Sequence, residues 1–477
     1  MSDTMLISPF IEGASAPGGG NAIEFAPAGD ETLQYRIEDA DAETVAHAVG
    51  SARQAFAAVR RASIADRCDL LALVAEAIDE NAEELSSLIC VDVGKPIRIA
   101  RGEVTRGSQF VRACMAALGQ MGGEVLPLDA ARNGAGRFGF TRRIPFGVVG
   151  AITPFNAPIN LLVQKLAPGL AAGNAVVVKP ALPATRVALR LAEASHQKGV
   201  PAGMFNVVTG DREAAVHLAA DERVGAVSFT GGVEGGQALL RHTGVRKFVS
   251  ELGSNAANLV LADADLEQAA TKIASAAFEA SGQQCISAQR IIVHGAVFDA
   301  FLERFLHAVD RLRVGPARDE KVDVGPMVSL RAADRLEALY RDAIAAGARE
   351  ALPWRREGRL VFPTVLTEVP REARLWTEEA FGPIALMVRA AGVDHALELA
   401  NDSPFGLQGA VFTRDLATAF RCIDDFDVGA LWVNEASRFR LDMYPFGGVK
   451  QSGVGREGVR YAIEELTQLK FIGINPA

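Results

Sequence analysis

The sequence has no apolar run long enough to cross a bilayer. Its greasiest stretch, around 161–178, is broken by Gln164, Lys165, Pro168, Gly169, Gly173 and Asn174, whereas a span needs about 20 mostly apolar residues. The chain opens MSDTMLISPF, with no basic region leading into an apolar core, so secretion is not expected. Cysteine is scarce. The five residues (Cys68, Cys90, Cys114, Cys285 and Cys422) are widely scattered, odd in number and form no CxxC. That excludes a disulfide scaffold and fits free thiols in a reducing, cytoplasmic compartment. The seven histidines form no HExxH or comparable ligand spacing, so no metal site is expected. Basic charge is not in excess either. The 49 Lys and Arg against 58 Asp and Glu leave a formal charge of −9, which argues against a nucleic-acid partner.

What is present is ordinary globular composition, 49% apolar and 22% charged over 477 residues. That length suits about three domains or one large two-lobed fold. Residues 41–122 carry helical spacing (Val45, Val49, Ala52, Phe56; Leu70, Leu73, Val74, Ile78), interrupted at Gly94-Lys95-Pro96. From residue 137 the pattern changes to short strands alternating with helices. Strands are expected at 147–152, 176–178, 206–208, 226–229, 291–293, 384–388, 409–412 and 430–433. Helices are expected at 184–197, 212–219, 234–241, 297–312, 330–346, 393–400 and 415–424. Such alternation predicts two α/β lobes with parallel sheets. The alternating segment 467–473 is expected to pair with 137–145, away from both lobes.

Four places can carry chemistry, and each also has a structural reading. Thr230-Gly231-Gly232 and Gly235-Gly236 lie between a strand and a helix. There glycines admit a phosphate to backbone N–H groups, although a tight turn would use the same residues. Cys285, in Gly282-Gln283-Gln284-Cys285, is either a small core residue or a thiol nucleophile. Glu251, ending the stretch Lys247–Ser250, is either a solvated strand-end carboxylate or a general base. Asn156, in Thr153-Pro154-Phe155-Asn156-Ala157-Pro158, is either a turn residue or an amide that can donate to an oxyanion.

Taken in order, TPFNAP, AGNAVVVKP, FTGG, ELGSN, GQQC, EEAFGP, NDSPFGL and PFGGVKQSGVGREG strongly resemble the motifs of the NAD(P)-dependent aldehyde dehydrogenase superfamily, over residues 30–475. The resemblance implies an α/β fold. Its parts would be a Rossmann-type coenzyme lobe (1–123 and 146–253), a catalytic lobe (254–463) and a small β oligomerisation arm (124–145 and 464–477) that makes a homodimer or homotetramer. It implies Cys285 as nucleophile, Asn156 as oxyanion donor and Glu251 as the base that releases an acid rather than an acyl-coenzyme A. It places NAD or NADP against Ile152, Thr153, Phe155, Lys179, Leu182, Gly210, Phe229, Thr230, Gly231, Gly232, Glu379 and Phe381. Leu182 stands where relatives commonly carry Glu, and Gly232 where they carry Ser. With Lys179 and Arg186 nearby, these departures imply that NADP is used at least comparably to NAD. The aldehyde tunnel would be lined by Arg106, Phe110, Asn160, Gln164, Gln284, Arg438 and Arg440. The wording of Asn434–Gly448 is similar to the lactaldehyde and phosphonate- or sulfonate-aldehyde branches, which implies a short anionic or hydroxylated substrate. Arg438 and Arg440 could instead make surface or inter-subunit salt bridges. A catalytically silent binding relative and a thiol esterase are the alternative functions.

Overall fold

The computed structural model describes residues 5–476; Met1–Thr4 and Ala477, which fall in the expected coenzyme lobe and arm, lie outside them. Two large sheets organise the chain. The first runs, edge to edge, Gly453–Val454, Lys247–Glu251, Ala226–Thr230, Val148–Thr153, Ala175–Pro180, Phe205–Val207, Phe10–Ile11, Ala14–Ser15. Its five central strands are parallel. Those strands are nearly continuous apolar runs because helices cover both faces, and every residue of Val148–Thr153 and Ala175–Pro180 is buried. The chain starts this sheet at Val148–Thr153, builds outward through Ala175–Pro180 and Phe205–Val207, then crosses back to lay Ala226–Thr230 on the other side. That reversal opens a crevice beyond the carboxyl ends of the two strands flanking it, where ligands bind in open α/β sheets.

The second sheet runs Arg349–Leu352, Thr364–Thr367, Ile384–Ala390, Arg290–His294, Ala257–Val260, Gln408–Phe412, Ala430–Val433. It is parallel except at its first strand. A third, antiparallel sheet joins Thr467–Ile474 to Phe138–Pro145 in unbroken register, with Val125–Leu126 on the far side. The pairing expected for the two alternating segments is therefore present.

The expected helices and strands appear within a few residues of their places. Three features departed from the patterning. The first forty residues, for which periodicity gave no element, contribute five short strands, two of which extend the first sheet. The apolar stretch after Asn156 is a helix, Pro158–Ala171, buried along its whole length; burial on all sides erases the periodicity that marks a surface helix. Finally, Gly453–Val454 adds to the first sheet, and Val459, Ile463 and Leu466 pack in that sheet's core. The end of the expected catalytic lobe thus returns to the coenzyme side.

Candidate active site

Two cavities meet at one wall. A cavity of about 430 Å³ occupies the crevice at the reversal of the first sheet. Its lining includes Ile152–Asn156, Lys179, Ala181, Arg212, Phe229–Gly232, Gly235, Leu252, Glu379 and Phe381. A tunnel of about 700 Å³ approaches from the other side between Lys95–Arg106, Asn156–Gln164, Thr271–Glu279 and Glu435–Arg440. Asn156, Leu161 and Cys285 line both.

The turn that carries Cys285 is built by backbone constraint. Ala280, Ser281 and Gly282 all have positive φ, and a Cβ on Gly282 would lie 2.4 Å from the Gly382 carbonyl oxygen, so only glycine fits. Ser281 Oγ donates to the Gly325 carbonyl (2.7 Å) and Gln283 Oε1 accepts from Val328 N–H (3.0 Å). On the far side Ser437 Oγ donates to the Ile286 carbonyl and is itself held by Asn258. This ties the cysteine turn to the loop that carries Arg438 and Arg440. Burial, with the carboxylate of Glu379 beside it, pushes the Cys285 thiol up to about 12, so it rests protonated at neutral pH.

Asn156 stands ahead of the helix Pro158–Ala171, whose first N–H groups are capped from a distance. Glu103 accepts from Ile159 N–H (2.9 Å) and Asn160 N–H (3.3 Å) and pairs with Lys95, all buried. A carboxylate at this end also suits the helix dipole. Asn160 and Gln164 follow at one-turn spacing on the same stripe and face the tunnel. Lys165, one residue on, points into the protein: its Nζ donates to Thr230 Oγ1 (2.7 Å) and Glu457 Oε1 (2.9 Å).

Glu251 ends its strand between Thr230 and Gly453. It is 3% exposed, and neither carboxylate oxygen has a hydrogen-bond partner among the described residues. A Cβ on Gly447, in the PFGG segment, would lie 2.9 Å from Glu251 Oε1, so that glycine makes room for the carboxylate. Burial, reinforced by the neighbouring Glu457, holds the Glu251 carboxyl well above the carboxylate range. Glu457 is also driven up by burial, but Lys165 and Arg440 outweigh that and hold it below its ordinary value. Two adjacent carboxyls whose proton affinities are pushed apart mark an acid–base site. The motif reading had singled out neither Lys165 nor Glu457, because nothing in the sequence brings positions 165, 251 and 457 together.

The larger cavity-lining groups divide by chemistry. Lys179 is buried without a hydrogen-bond or ion-pair partner among the described residues, and burial lowers its amine to about 8. Glu379 accepts from Ser254 N–H (2.9 Å), and burial raises its carboxyl to about 7. Phe381, at positive φ, meets Phe155 edge-to-face at 5.8 Å. Gly232 caps the helix Val233–Thr243 without a side-chain bond, so the first N–H groups of that helix are free for an anion.

Four expected residues are placed otherwise. Leu182 lies in a short 3-10 turn and packs against the first core, outside the cavity lining. Gly210 is also outside that lining; its positive φ lets it pass Asp39, which a Cβ would meet at 2.0 Å. Arg186 is not free, since it pairs with Asp92 (Nε to Oδ2, 2.9 Å) over the Tyr35 ring. Phe110 is 1% exposed in the core; the tunnel-facing stripe Ile99, Gly102, Glu103, Arg106 stops one turn short of it. Arg212, which patterning did not single out, is the cation that lines the cavity with Lys179.

Six basic and three acidic side chains line the tunnel. Arg106 pairs with Asp442 (2.6 Å), Arg438 with Glu279 (2.7 Å) and Arg440 with Glu457 (3.0 Å). All three are intramolecular pairs at the tunnel wall.

Comparison with known proteins places this geometry. Residues 17–472 match the family model described as "Aldehyde dehydrogenase family". The chain is 40% identical over 440 residues to a 3-sulfolactaldehyde dehydrogenase of Priestia aryabhattai, covering 92% of each protein. It is 36% identical over 438 residues to a lactaldehyde dehydrogenase of Methanocaldococcus jannaschii, covering 91% of this chain and 93% of that one. The crystal structure of an NADP-dependent glyceraldehyde-3-phosphate dehydrogenase from Bacillus halodurans C-125, complexed with NADP, superposes with a TM-score of 0.96 at 31% identity, covering 99% of this chain and 100% of that one. The chain therefore belongs to the aldehyde dehydrogenase family and is an NAD(P)-dependent enzyme that oxidises an aldehyde to its acid.

Proposed function

We propose that Cys285 attacks a short anionic or hydroxylated aldehyde presented by the tunnel, and that Glu251 directs hydrolysis of the resulting thioester. The observation that carries this reading is that Cys285 and Asn156 alone among polar residues line both cavities. A carbon bound to Cys285 Sγ therefore sits between them. Neither the Asn156 amide nor the Cys285 backbone N–H donates to a protein acceptor among the described residues; both are available to the oxyanion that forms on attack. The residues around the smaller cavity fit a dinucleotide. Lys179 and Arg212 suit its adenosine end, Phe229–Gly232 and the free helix terminus its pyrophosphate, and Glu379 and Phe381 its nicotinamide riboside. When bound, NAD(P)+ supplies the hydride acceptor. Glu251, with its high proton affinity and no competing hydrogen bond, takes the proton of the water that cleaves the thioester.

The names of the relatives support the anionic substrate; Arg106 and Arg438, which line the tunnel and are partly exposed although each is paired with a carboxylate, are the groups that would meet it. One charge-assisted contact contributes about 1.5–3 kcal/mol, which is roughly ten- to a hundredfold in kcat/KM. A sulfonated or carboxylated three-carbon aldehyde should exceed propanal by that factor, and Arg106→Ala or Arg438→Ala should shrink the ratio. Propanal winning in wild type, with the ratio unchanged in both variants, would mean the arginines only brace the wall. A silent binding relative would give no reduced nicotinamide in this panel, and a thiol esterase would act without the dinucleotide.

For the cofactor, Leu182 leaves no carboxylate where relatives commonly carry Glu; the carboxylates near Lys179 are Asp39 and Asp211. NADP should be used at least comparably to NAD. Arg212→Ser should cost NADP about tenfold or more in Kd relative to NAD, as loss of one charge-assisted bond implies, measured by calorimetry on the cofactor-free protein. A hundredfold preference for NAD in wild type would refute this assignment.

The two large sheets and the arm sheet support the proposed division into coenzyme lobe, catalytic lobe and arm, with Gly453–Val454 crossing from the catalytic segment to the first sheet. Leu469, Phe471 and Ile474 are exposed on the arm, and among the described residues Ala430–Val433 is an edge strand with half-buried apolar side chains. Such edges are normally covered, which supports a homodimer or homotetramer. No helix among the described residues is long and apolar enough to cross a membrane, and the scattered free thiols support a cytoplasmic setting.

A further inference from the structure

We propose that Arg440 is a positioning residue of the hydrolytic step: anchored on Glu457, its guanidinium governs which of two buried carboxyls carries the charge and supplies positive charge beside Cys285. The inference rests on the roles given above to Cys285 and Glu251. Arg440 lines the tunnel, yet its side chain is only 8% exposed. Its Nη2 donates to Glu457 Oε2 (3.0 Å) and to Gln164 Oε1 (2.8 Å), and the guanidinium lies 3.5 Å over the Phe446 ring. Those three contacts hold it from different sides and leave Nε without a partner. An arginine whose one task was to grip a substrate anion would not need a buried carboxylate as its anchor.

The charges around it explain the anchor. Glu251 and Glu457 are like charges in a dry interior, and such a pair shares its protons unequally. Lys165 and Arg440 both bond Glu457, whereas nothing bonds Glu251. The arrangement keeps negative charge on Glu457 and leaves Glu251 as the proton acceptor. After burial and Glu457, which raise the proton affinity of Glu251, Arg440 is the foremost group opposing them, followed by Lys165 and Arg456. At Cys285, burial, Glu379, Glu251 and Glu457 disfavour the thiolate and Arg440 favours it. Asp442, held by Arg106, is the remaining carboxylate facing Arg440.

The test reads Cys285 directly: the pH profile of its alkylation by iodoacetamide in the cofactor-free protein, followed on the Cys285 peptide by mass spectrometry. A second arm follows kcat against pH with propanal, which carries no anion. Arg440→Gln should move both profiles alkaline by about one pH unit, as loss of a nearby opposite charge does, and Arg440→Lys should restore most of the shift. Glu457→Gln removes a neighbouring negative charge and should move the alkylation profile the opposite way. It decides the matter if Arg440→Gln does not fold. The proposal is overturned if both profiles stay at their wild-type positions while only KM for an anionic aldehyde rises, or if Arg440→Lys shifts as far as Arg440→Gln. Because alkylation needs no aldehyde, a failure of the hydrolytic reading would appear separately, as normal alkylation without acid production.

Discussion

Glu251→Gln should release about one equivalent of reduced nicotinamide per active site in a rapid burst and then turn over about 10²–10⁴-fold more slowly, the range over which general-base catalysis contributes. The split follows from what Glu251 touches. It does not line either cavity and has no hydrogen bond to Cys285, so the thiol proton goes to water in the tunnel that Cys285 lines, and attack and hydride transfer proceed without Glu251. Its unpartnered oxygens are buried beside Glu457, and in the proposed mechanism they take the proton of the attacking water. Glutamine preserves the shape and removes the basicity. Stopped-flow absorbance at the wavelength of the reduced nicotinamide checks this. Undiminished steady-state turnover, or loss of burst and turnover together, would show that Glu251 does something else. Cys285→Ala should abolish both phases.

The second large effect is on stability. Lys165→Met should destabilise the protein by about 3–5 kcal/mol, the usual result of removing one partner of a buried ion pair. The Lys165 and Glu457 side chains are 1% and 3% exposed, so water cannot replace the lost cation. Arg440 and, at 3.5 Å, the Thr230 hydroxyl would be left to hold Glu457, and Thr230 Oγ1 would lose its donor. The sign of the pH dependence follows from Glu457. Its carboxyl is held below the ordinary value in the folded protein, so its contribution is present above the unfolded carboxylate pKa and is lost as pH falls through the folded one. The deficit of Lys165→Met should therefore shrink on acidification. Urea unfolding at pH 7.5 and at about pH 3, below the ordinary carboxylate value, tests this; a loss under about 1 kcal/mol at pH 7.5 would contradict the value for a buried pair, and an equal loss at both pH values would contradict the charge argument.

The parts of the fold and site that sequence made legible were those written locally. Strands such as Val148–Thr153, bounded by turn residues, stood out because both faces are covered by helices. The ordered motifs located Cys285, Asn156, Glu251 and the residues from Phe229 to Gly232, and the structure places all of them at or directly behind the two cavities. The illegible parts are those decided by tertiary packing. Arg186 follows Leu182 by four positions, but that spacing could not reveal that Asp92, 94 positions away, holds its guanidinium. Phe110 continues the tunnel stripe on a helical wheel, and only the depth of the helix in the core removes it. Two positions apart, Arg438 and Arg440 would face the same side of an extended segment. Instead Gln408, Asn258 and Ser437 pin a loop from which each reaches a different carboxylate. Lys165 sat in an apolar stretch as an interruption; its partner Glu457 is 292 residues away.

The most direct test of the central claim is the mass of the enzyme in mid-reaction. Glu251→Gln protein is mixed with NADP and a short anionic aldehyde, without coenzyme A, quenched in acid and digested. The account expects the acyl mass on the peptide that carries Cys285, and in wild type the free acid as product with no coenzyme A required. An unmodified Cys285 during the burst, or turnover that begins only when coenzyme A is added, would contradict it.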